Sequence, residues 1–312
     1  MNDILLTGSC GYVGSALSNA LYDRNVIGID RFDSGNYSKN INKFLKADLN
    51  CLTQKLKFFL HQFSGVVIHL AAARTDDADS ATYLADNIDA TKALIETLDA
   101  SKIKKFIHMG SVAAIDGEKL DQKSSLPNNP DDWYRLSKYL QQNIIEQWAT
   151  ENSVPLVILA PSAVYDECAA QNSTNIGRLE QIVRFVKIVP SVNVLKSLTA
   201  MSLLIKAIMT VANTNEENKP LKNNGTINRY LIIDQPIMTV SEICRRKFNA
   251  KIVIYIPKLK FFLLILASIL RRLKLENRFP LTQDRVNKLF RPTAYCAGNG
   301  YSEWKNEELK PY

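Results

Sequence analysis

Short apolar runs alternate with amphipathic stretches through the first half of the chain. Ile4-Leu5-Leu6 opens the pattern and leads into a polar, glycine-rich segment. Val13, Ala16, Leu17, Ala20 and Leu21 then recur at helical spacing, and Val26-Ile27-Gly28-Ile29 forms a second run ending on Asp30. Further strands are predicted at 44–49, Val66-Val67-Ile68-His69-Leu70-Ala71, Phe106-Ile107-His108-Met109 and Val157-Ile158-Leu159. Helical patterns fill the intervals at 51–63, 81–100 and 132–150, with Leu84, Ile88, Thr91, Leu94, Ile95 and Leu98 as the periodic face of the second. The run 66–71 is apolar almost throughout rather than alternating, as a strand in a sheet covered on both faces requires.

This alternation predicts an α/β fold: a doubly wound parallel sheet, Rossmann-like, followed by a smaller mixed α/β lobe at the C-terminal end. Past Pro161 the pattern weakens. Residues 203–212 read as helix, 230–233 as strand and 213–225 as a polar loop, and Thr239-Val240-Ser241-Glu242 is a capping box that starts another helix. The division expected is 1–165 for the first domain and 166–312 for a substrate lobe that can return strands to the main sheet.

The glycine-rich segment is Thr7-Gly8-Ser9-Cys10-Gly11-Tyr12-Val13-Gly14, placed between a strand and a helix. Its first glycine permits a tight turn, the second lets the backbone approach a pyrophosphate at the helix N-terminus, and the third permits close helix–strand packing. Asp30 follows Gly8 by 22 positions, where a carboxylate can take both hydroxyls of an adenosine ribose. Together these features predict a dinucleotide site.

Tyr134-Arg135-Leu136-Ser137-Lys138 sets a phenol and an ammonium at i and i+4 on one helix face. The cation favours the phenolate, so the tyrosine can pass a proton to or from an alcohol or sugar hydroxyl. Ser111 follows a predicted parallel strand, whose carboxyl end is where ligands of such sheets sit, and can hydrogen-bond the same oxygen. The same spacing recurs at Tyr301/Lys305, which reads as ordinary surface.

Composition narrows the chemistry. Five scattered cysteines without CxxC spacing argue against a disulfide framework and for a reducing compartment. The three histidines, His61, His69 and His108, form no ligand spacing, and no metal site is expected. The first strand opens almost at Met1 with no basic and apolar leader, which predicts no signal peptide and a cytoplasmic location. The net charge of +8 is concentrated: between Arg245 and Arg291 thirteen Lys/Arg face two acids. Such a segment suits a solvated face, an anionic substrate or a membrane surface; no aromatic-interleaved basic motif points to nucleic acid.

At these residues the chain resembles the extended short-chain dehydrogenases/reductases, in particular the NAD-dependent epimerase/dehydratase family that modifies nucleotide sugars. The resemblance is carried by Thr7-Gly8-x-x-Gly11-x-x-Gly14, Asp30, Asp48-Leu49, His69-Leu70-Ala71-Ala72, Asn87, Ser111, Tyr134-x-x-x-Lys138, Leu159-Ala160-Pro161-x-x-Val164-Tyr165 and Leu281-Thr282-x-Asp284-Arg285-Val286. It implies Ser111, Tyr134 and Lys138 as the catalytic set. It implies NAD contacts from Gly8, Gly11, Tyr12, Val13, Gly14, Asp30, Arg31, Asp48, Leu49, Leu70, Ala71, Ala72, Asn87, Tyr134, Lys138 and Pro161, and substrate contacts from Arg74, Ser111, Tyr134 and Arg285. Asp30 favours NAD, while Arg31 beside it offers a route to NADP. Ala160, Ala163 and Asp166 replace residues that the family often carries as Arg, Asn and Gly, which touches the substrate contacts rather than the chemistry.

The resemblance implies a nucleotide-sugar substrate in surface-polysaccharide precursor synthesis, and a homodimer built on the helices at 81–100 and 132–150. The leading reading is a 4-epimerase acting through a 4-keto intermediate. A 4-keto reductase using NAD(P)H and a non-catalytic dinucleotide-binding module are the alternatives. Dehydration is least favoured, because Val112-Ala113-Ala114-Ile115 has no carboxylate. The apolar run 261–270 is too short to span a bilayer. It is expected as a buried or lid helix, with an interfacial helix flanked by Lys258, Lys260, Arg271, Arg272 and Lys274, or an oligomer contact, as the rivals.

Overall fold

The computed structural model describes residues 3–33, 40–73, 79–123, 127, 129–166, 175–213, 227–274, 281–298 and 300–304. The chain divides into two units: Met1–Ser162 with Met201–Ile233 and Cys296–Tyr312, and Ala163–Ala200 with Asp234–Tyr295. The first unit thus takes back 201–233 and 296–312 from the later part of the chain.

In the first unit the strands are β1 (Ile4–Thr7), β2 (Val26–Asp30), β3 (Ile41–Lys46), β4 (Gly65–His69), β5 (Ile103–Met109) and β6 (Leu156–Pro161). The connecting helices are α1 (Tyr12–Ala20), α2 (Gln54–Gln62), α3 (Ser80–Tyr83) running through a π-helical turn (Leu84–Asp89) into α4 (Ala90–Thr97), α5 (Ala113–Asp121) and α6 (Pro130–Glu151). The second unit contributes β7 (Ala163–Tyr165), α7 (Asn175–Val186), β8 (Ile188–Pro190), β9 (Leu195–Lys196) and β10 (Leu198–Ala200). The chain returns to the first unit for α8 (Met201–Asn213) and β11 (Ile227–Ile232), then to the second for β12 (Met238–Thr239), α9 (Val240–Arg246), β13 (Ile252–Ile254), α10 (Leu259–Arg272) and α11 (Gln283–Phe290); β14 (Ser302–Glu303) ends in the first.

The main sheet has eight strands in the order β14-β11-β6-β5-β4-β1-β2-β3, and every pairing in it is parallel. Order reverses between β4 and β1, so the ligand crevice of such a fold lies at the carboxyl ends of those two strands. The apolar runs read from sequence are its core: Leu5, Leu6, Val67, Ile68, Ile107, Ile158 and Leu159 have essentially no exposed surface. The capping box at Thr239 forms with both of its hydrogen bonds.

Two departures have local causes. Leu84 was expected on the inward face of its helix but is 40% exposed. The π turn inserts an extra residue into the helical register, so Tyr83 goes inward in its place and Asn87 is fully buried. Tyr301 is buried rather than on the surface, and its hydroxyl donates to Gln142 Oε1 at 2.6 Å, fixing the β14 segment to α6; Lys305 lies outside the described residues.

Candidate active site

Backbone sterics build the glycine loop after β1. Gly8 has φ +70, and a Cβ there would lie 2.8 Å from Ala71 N, so the β1 and β4 loops pack against each other without a side chain between them. A Cβ on Gly14 would fall 2.1 Å from Gly8 O, inside any tolerable contact. The first turn of α1 carries no acidic residue, and its N-cap Gly11 makes no side-chain capping bond, which suits amides that must serve an anion. Thr7 ties the floor together: Leu70 N donates to Thr7 O at 3.2 Å and Ala71 N to Thr7 Oγ1 at 3.3 Å.

Asp30 ends β2 with its carboxylate already oriented, accepting from Cys10 N at 2.9 Å and Phe32 N at 3.0 Å. Beside it Arg31 is engaged by protein. Its two terminal nitrogens donate to the two oxygens of Asp86 at 2.8 and 2.5 Å, and Asp48 lies 4.0 Å away. Bonding to Asp86 raises the guanidinium pKa above its ordinary value, Asp48 and Asp30 adding to it. Asp48 also caps the short turn that follows by accepting from Asn50 N, and that turn buries Leu49. The region around Arg31 is thus acidic, a poor setting for the extra phosphate of NADP.

The catalytic candidates gather at the next strands. Ser111 follows β5 by two residues, and its hydroxyl accepts from Ala113 N at 3.1 Å. Val112 N donates to Pro161 O, joining this loop to the end of β6. Helix α6 starts on an Asn129 cap that accepts from Asp132 N at 2.9 Å. Gly117 of α5 meets it closely: a Cβ there would sit 2.2 Å from Arg135 O. One turn further, Lys138 is buried and donates to Met109 O at 3.0 Å and to Gln141 Oε1 at 2.5 Å. Burial pushes its pKa down to about 7. Tyr134 and Trp133 pack, partly buried, on Ala73 and Tyr83, with the Tyr83 and Tyr134 rings 5.9 Å apart.

A buried polar layer under Lys138 is the part the sequence reading missed. Gln141 Nε2 donates to Thr91 Oγ1 at 2.9 Å; His69 bonds Thr91 Oγ1 at 3.0 Å through Nε2 and Thr7 Oγ1 at 2.8 Å through Nδ1. Burial, with Lys138 adding to it, lowers the His69 pKa to about 3, so this imidazole stays neutral. Asn87 belongs to the same frame: its oxygen accepts from Ala73 N at 2.6 Å, and its nitrogen donates to Ser137 Oγ at 2.9 Å. It fastens the β4 loop to α6. A helical pattern hides these links, because each joins residues far apart in the chain.

Gly8, Gly11, Tyr12, Val13, Gly14, Asp30, Asp48, Leu70, Ala71, Ala72, Ser111 and Pro161 thus cluster at the carboxyl ends of adjacent strands, with Tyr134 and Lys138 on the helix tied to β5. Arg74 lies outside the described residues. Arg285 belongs to α11 of the second unit, where its amide donates to the cap Thr282 Oγ1 at 3.3 Å.

A doubly wound parallel sheet with a glycine cradle at its switch point and a Tyr-x-x-x-Lys helix alongside defines the dinucleotide-binding short-chain dehydrogenase/reductase class. Within that class, the model of the NAD dependent epimerase/dehydratase family matches residues 4–201, and the chain belongs to this family. It is 28% identical over 188 residues to the N-acetyl-alpha-D-glucosaminyl-diphospho-ditrans,octacis-undecaprenol 4-epimerase of Escherichia coli O157:H7, a match covering 58% of this chain and 54% of the relative. The chain spans about half the length of the curated relatives it matches. Its fold is that of UDP-glucuronic acid 4-epimerase from Bacillus cereus in complex with NAD, at 19% identity and TM-score 0.58, covering 93% of this chain and all of the other. The UDP-N-acetylglucosamine 4-epimerase of Methanobrevibacter ruminantium M1, in complex with UDP-N-acetylmuramic acid, superposes with TM-score 0.62 at 21% identity, covering 82% of this chain and 85% of the other.

The family's cofactor suits the residues present. The side-chain-free approach at Gly8 and Gly14, the uncapped start of α1 and the oriented Asp30 carboxylate are what a pyrophosphate and an adenosine ribose require.

Proposed function

We propose that this protein is an NAD-dependent 4-epimerase of nucleotide sugars that serves surface-polysaccharide precursor synthesis. The observation that carries the reading is Lys138, buried and tethered to Met109 O, with Ser111 two residues beyond Met109 and Tyr134 one turn earlier on α6. Sugar-diphosphate 4-epimerases among the similar proteins support the reaction type, and the undecaprenol-linked substrate named for the Escherichia coli relative supports the polysaccharide setting.

In this mechanism the Tyr134 phenolate takes the proton of the sugar 4-hydroxyl. Ser111 donates a hydrogen bond to the same oxygen and steadies its charge. Lys138 favours the phenolate through its ammonium and, from the same buried seat, would hold the nicotinamide ribose. Gly8, Gly11 and Gly14 would hold the pyrophosphate and Asp30 the adenosine ribose. NAD held there would supply the hydride chemistry at C4, a transient acceptor that a 4-epimerisation through a 4-keto sugar needs. Tyr134 then gives its proton back, so the protein ends as it began.

The test is to assay purified protein for tightly held NAD and incubate it with UDP-, dTDP- and GDP-sugars without added reductant. The reading expects a C4 epimer and no net change in nicotinamide absorbance. Stoichiometric consumption of NADH or NADPH with release of an alcohol would replace it with a 4-keto reductase.

A further inference from the structure

The second unit leaves unusual material in water. Of the nineteen large apolar side chains exposed among the described residues, fifteen belong to it. Helix α10 accounts for a coherent stripe: Phe261, Phe262, Ile265, Leu266 and Ile269 share one face, with Leu273 just beyond its end. Phe261, Phe262 and Leu273 are 59%, 57% and 61% exposed, whereas Ala267 on the other side is buried. The helix is therefore not the buried element its composition suggested. The stripe continues along the chain. In β13, Ile252 pairs with Ile188 of β8, and both are exposed, as are Ile254 and Tyr255 leading towards α10.

The charges beside this face have one sign. Residues 251–274 contain no acid, and Lys251, Lys258, Lys260, Arg271, Arg272 and Lys274 are all exposed. None of the six forms an ion pair with a described residue. An exposed apolar stripe of this kind marks an interaction site. Basic residues flanking an apolar helical face suit a partner that is greasy inside and anionic at its surface. The helix of 14 residues is about 21 Å long, short of the roughly 30 Å hydrocarbon core, so it fits in the plane of an interface rather than across it. No helix among the described residues is long and apolar enough to cross a membrane.

We infer that the α10–β13 face of the second unit is a docking surface for an anionic lipid bilayer, with Phe261 and Phe262 entering the acyl boundary and the flanking lysines and arginines meeting the headgroups. The inference rests on this surface alone and stands apart from the epimerase reading.

The whole protein would be sedimented with vesicles of phosphatidylcholine alone and with vesicles containing one-third phosphatidylglycerol, at low and at high salt. Binding is expected to the anionic vesicles at low salt, weakening with added salt and weak to the neutral ones. Phe261→Ser with Phe262→Ser should cut vesicle affinity at least tenfold, and Arg271→Gln with Arg272→Gln should cut it by about tenfold or more. Arg271 and Arg272 are exposed and make no side-chain hydrogen bond or ion pair with a described residue, so the second pair tests the idea even where the first perturbs folding. Absence of binding at low salt overturns the inference, as does unchanged binding in the arginine pair. If the phenylalanine pair instead dissolves a dimer and leaves vesicle binding intact, the face belongs to a second copy and the inference falls.

Discussion

The carboxyl edge of the main sheet and the α10–β13 face use similar apolar residues to opposite ends. In the sheet, Leu5, Ile68 and Leu159 are out of water and hold up a layer of polar groups, each with a protein partner: Thr7 on His69, Gln141 on Lys138, Asn87 on Ala73 and Ser137. On α10, residues as greasy as these stay in solvent beside cations that no described acid neutralises. Hydrophobicity alone does not distinguish the two regions. What distinguishes them is whether the neighbouring elements close over the apolar face, which depends on contacts far apart in sequence. The first region spends its core on fixing a site, whereas the second keeps its apolar surface for a partner.

The largest effect expected concerns the fixed site. Tyr134→Phe should lower turnover by about 10²–10⁴-fold, the range of a lost general acid–base. NAD content and melting temperature should stay close to wild type, since the ring and its packing on Tyr83 remain. Measuring kcat beside bound nicotinamide separates this from unfolding. Equal loss of cofactor would show that the tyrosine is structural.

Equal truncations in the two regions sharpen the contrast directly. Leu159→Ala should cost about 2–5 kcal/mol of stability by opening a cavity in the core. Leu266→Ala, in the exposed stripe, should stay within about 0.5 kcal/mol. Urea unfolding of both variants reads the difference, and similar losses would mean that α10 is covered in solution.

Lys138 gives the core a pH signature. Its folded pKa, about 7, lies below the ordinary lysine value, so between that pH and about 10.5 the unfolded chain binds more protons than the folded one. Stability from this group must then rise with pH, by up to about 1.4 kcal/mol per unit, and the penalty is fully present below pH 7. Cofactor-free wild type should therefore gain on Lys138→Met across that window in unfolding measured at several pH values. Parallel curves for the two proteins would contradict the burial of this ammonium.

The smallest effect expected is on cofactor choice. Asp86→Ala releases Arg31 from its two-pronged contact, and NADP affinity should improve by about tenfold, in the range of one charge-assisted contact. Titration calorimetry with both cofactors checks it. Unchanged preference would mean that Asp30 alone sets it.

Much of the first region was legible in the chain itself. Strand runs, the glycine spacing, Asp30 and Tyr134-x-x-x-Lys138 are local signals, and the fold keeps all of them at one sheet edge. Less local features stayed hidden. The π turn displaced Leu84 and buried Asn87, because a helical period assumes an unbroken register. Asp86 on Arg31, Glu146 on Arg229 and Gln142 on Tyr301 join residues brought together only by the sheet order. The return of β11 to the sheet was legible only as the short apolar run at 230–233, and that of β14, the polar pair Ser302–Glu303, left no such signal. The exposure of α10 was hidden for the same reason: a ten-residue run broken only by Ser268 looks buried until the neighbours that fail to cover it are known.

The most direct test of the central claim follows the hydrogen at C4. UDP-hexoses deuterated at that carbon would be incubated with the purified protein in ordinary water, and the products read by NMR and mass spectrometry. The account predicts the C4 epimer with deuterium retained at C4 and no label lost to solvent. An epimer stripped of deuterium, or no epimer from any sugar in a panel while the protein holds NAD, would contradict it.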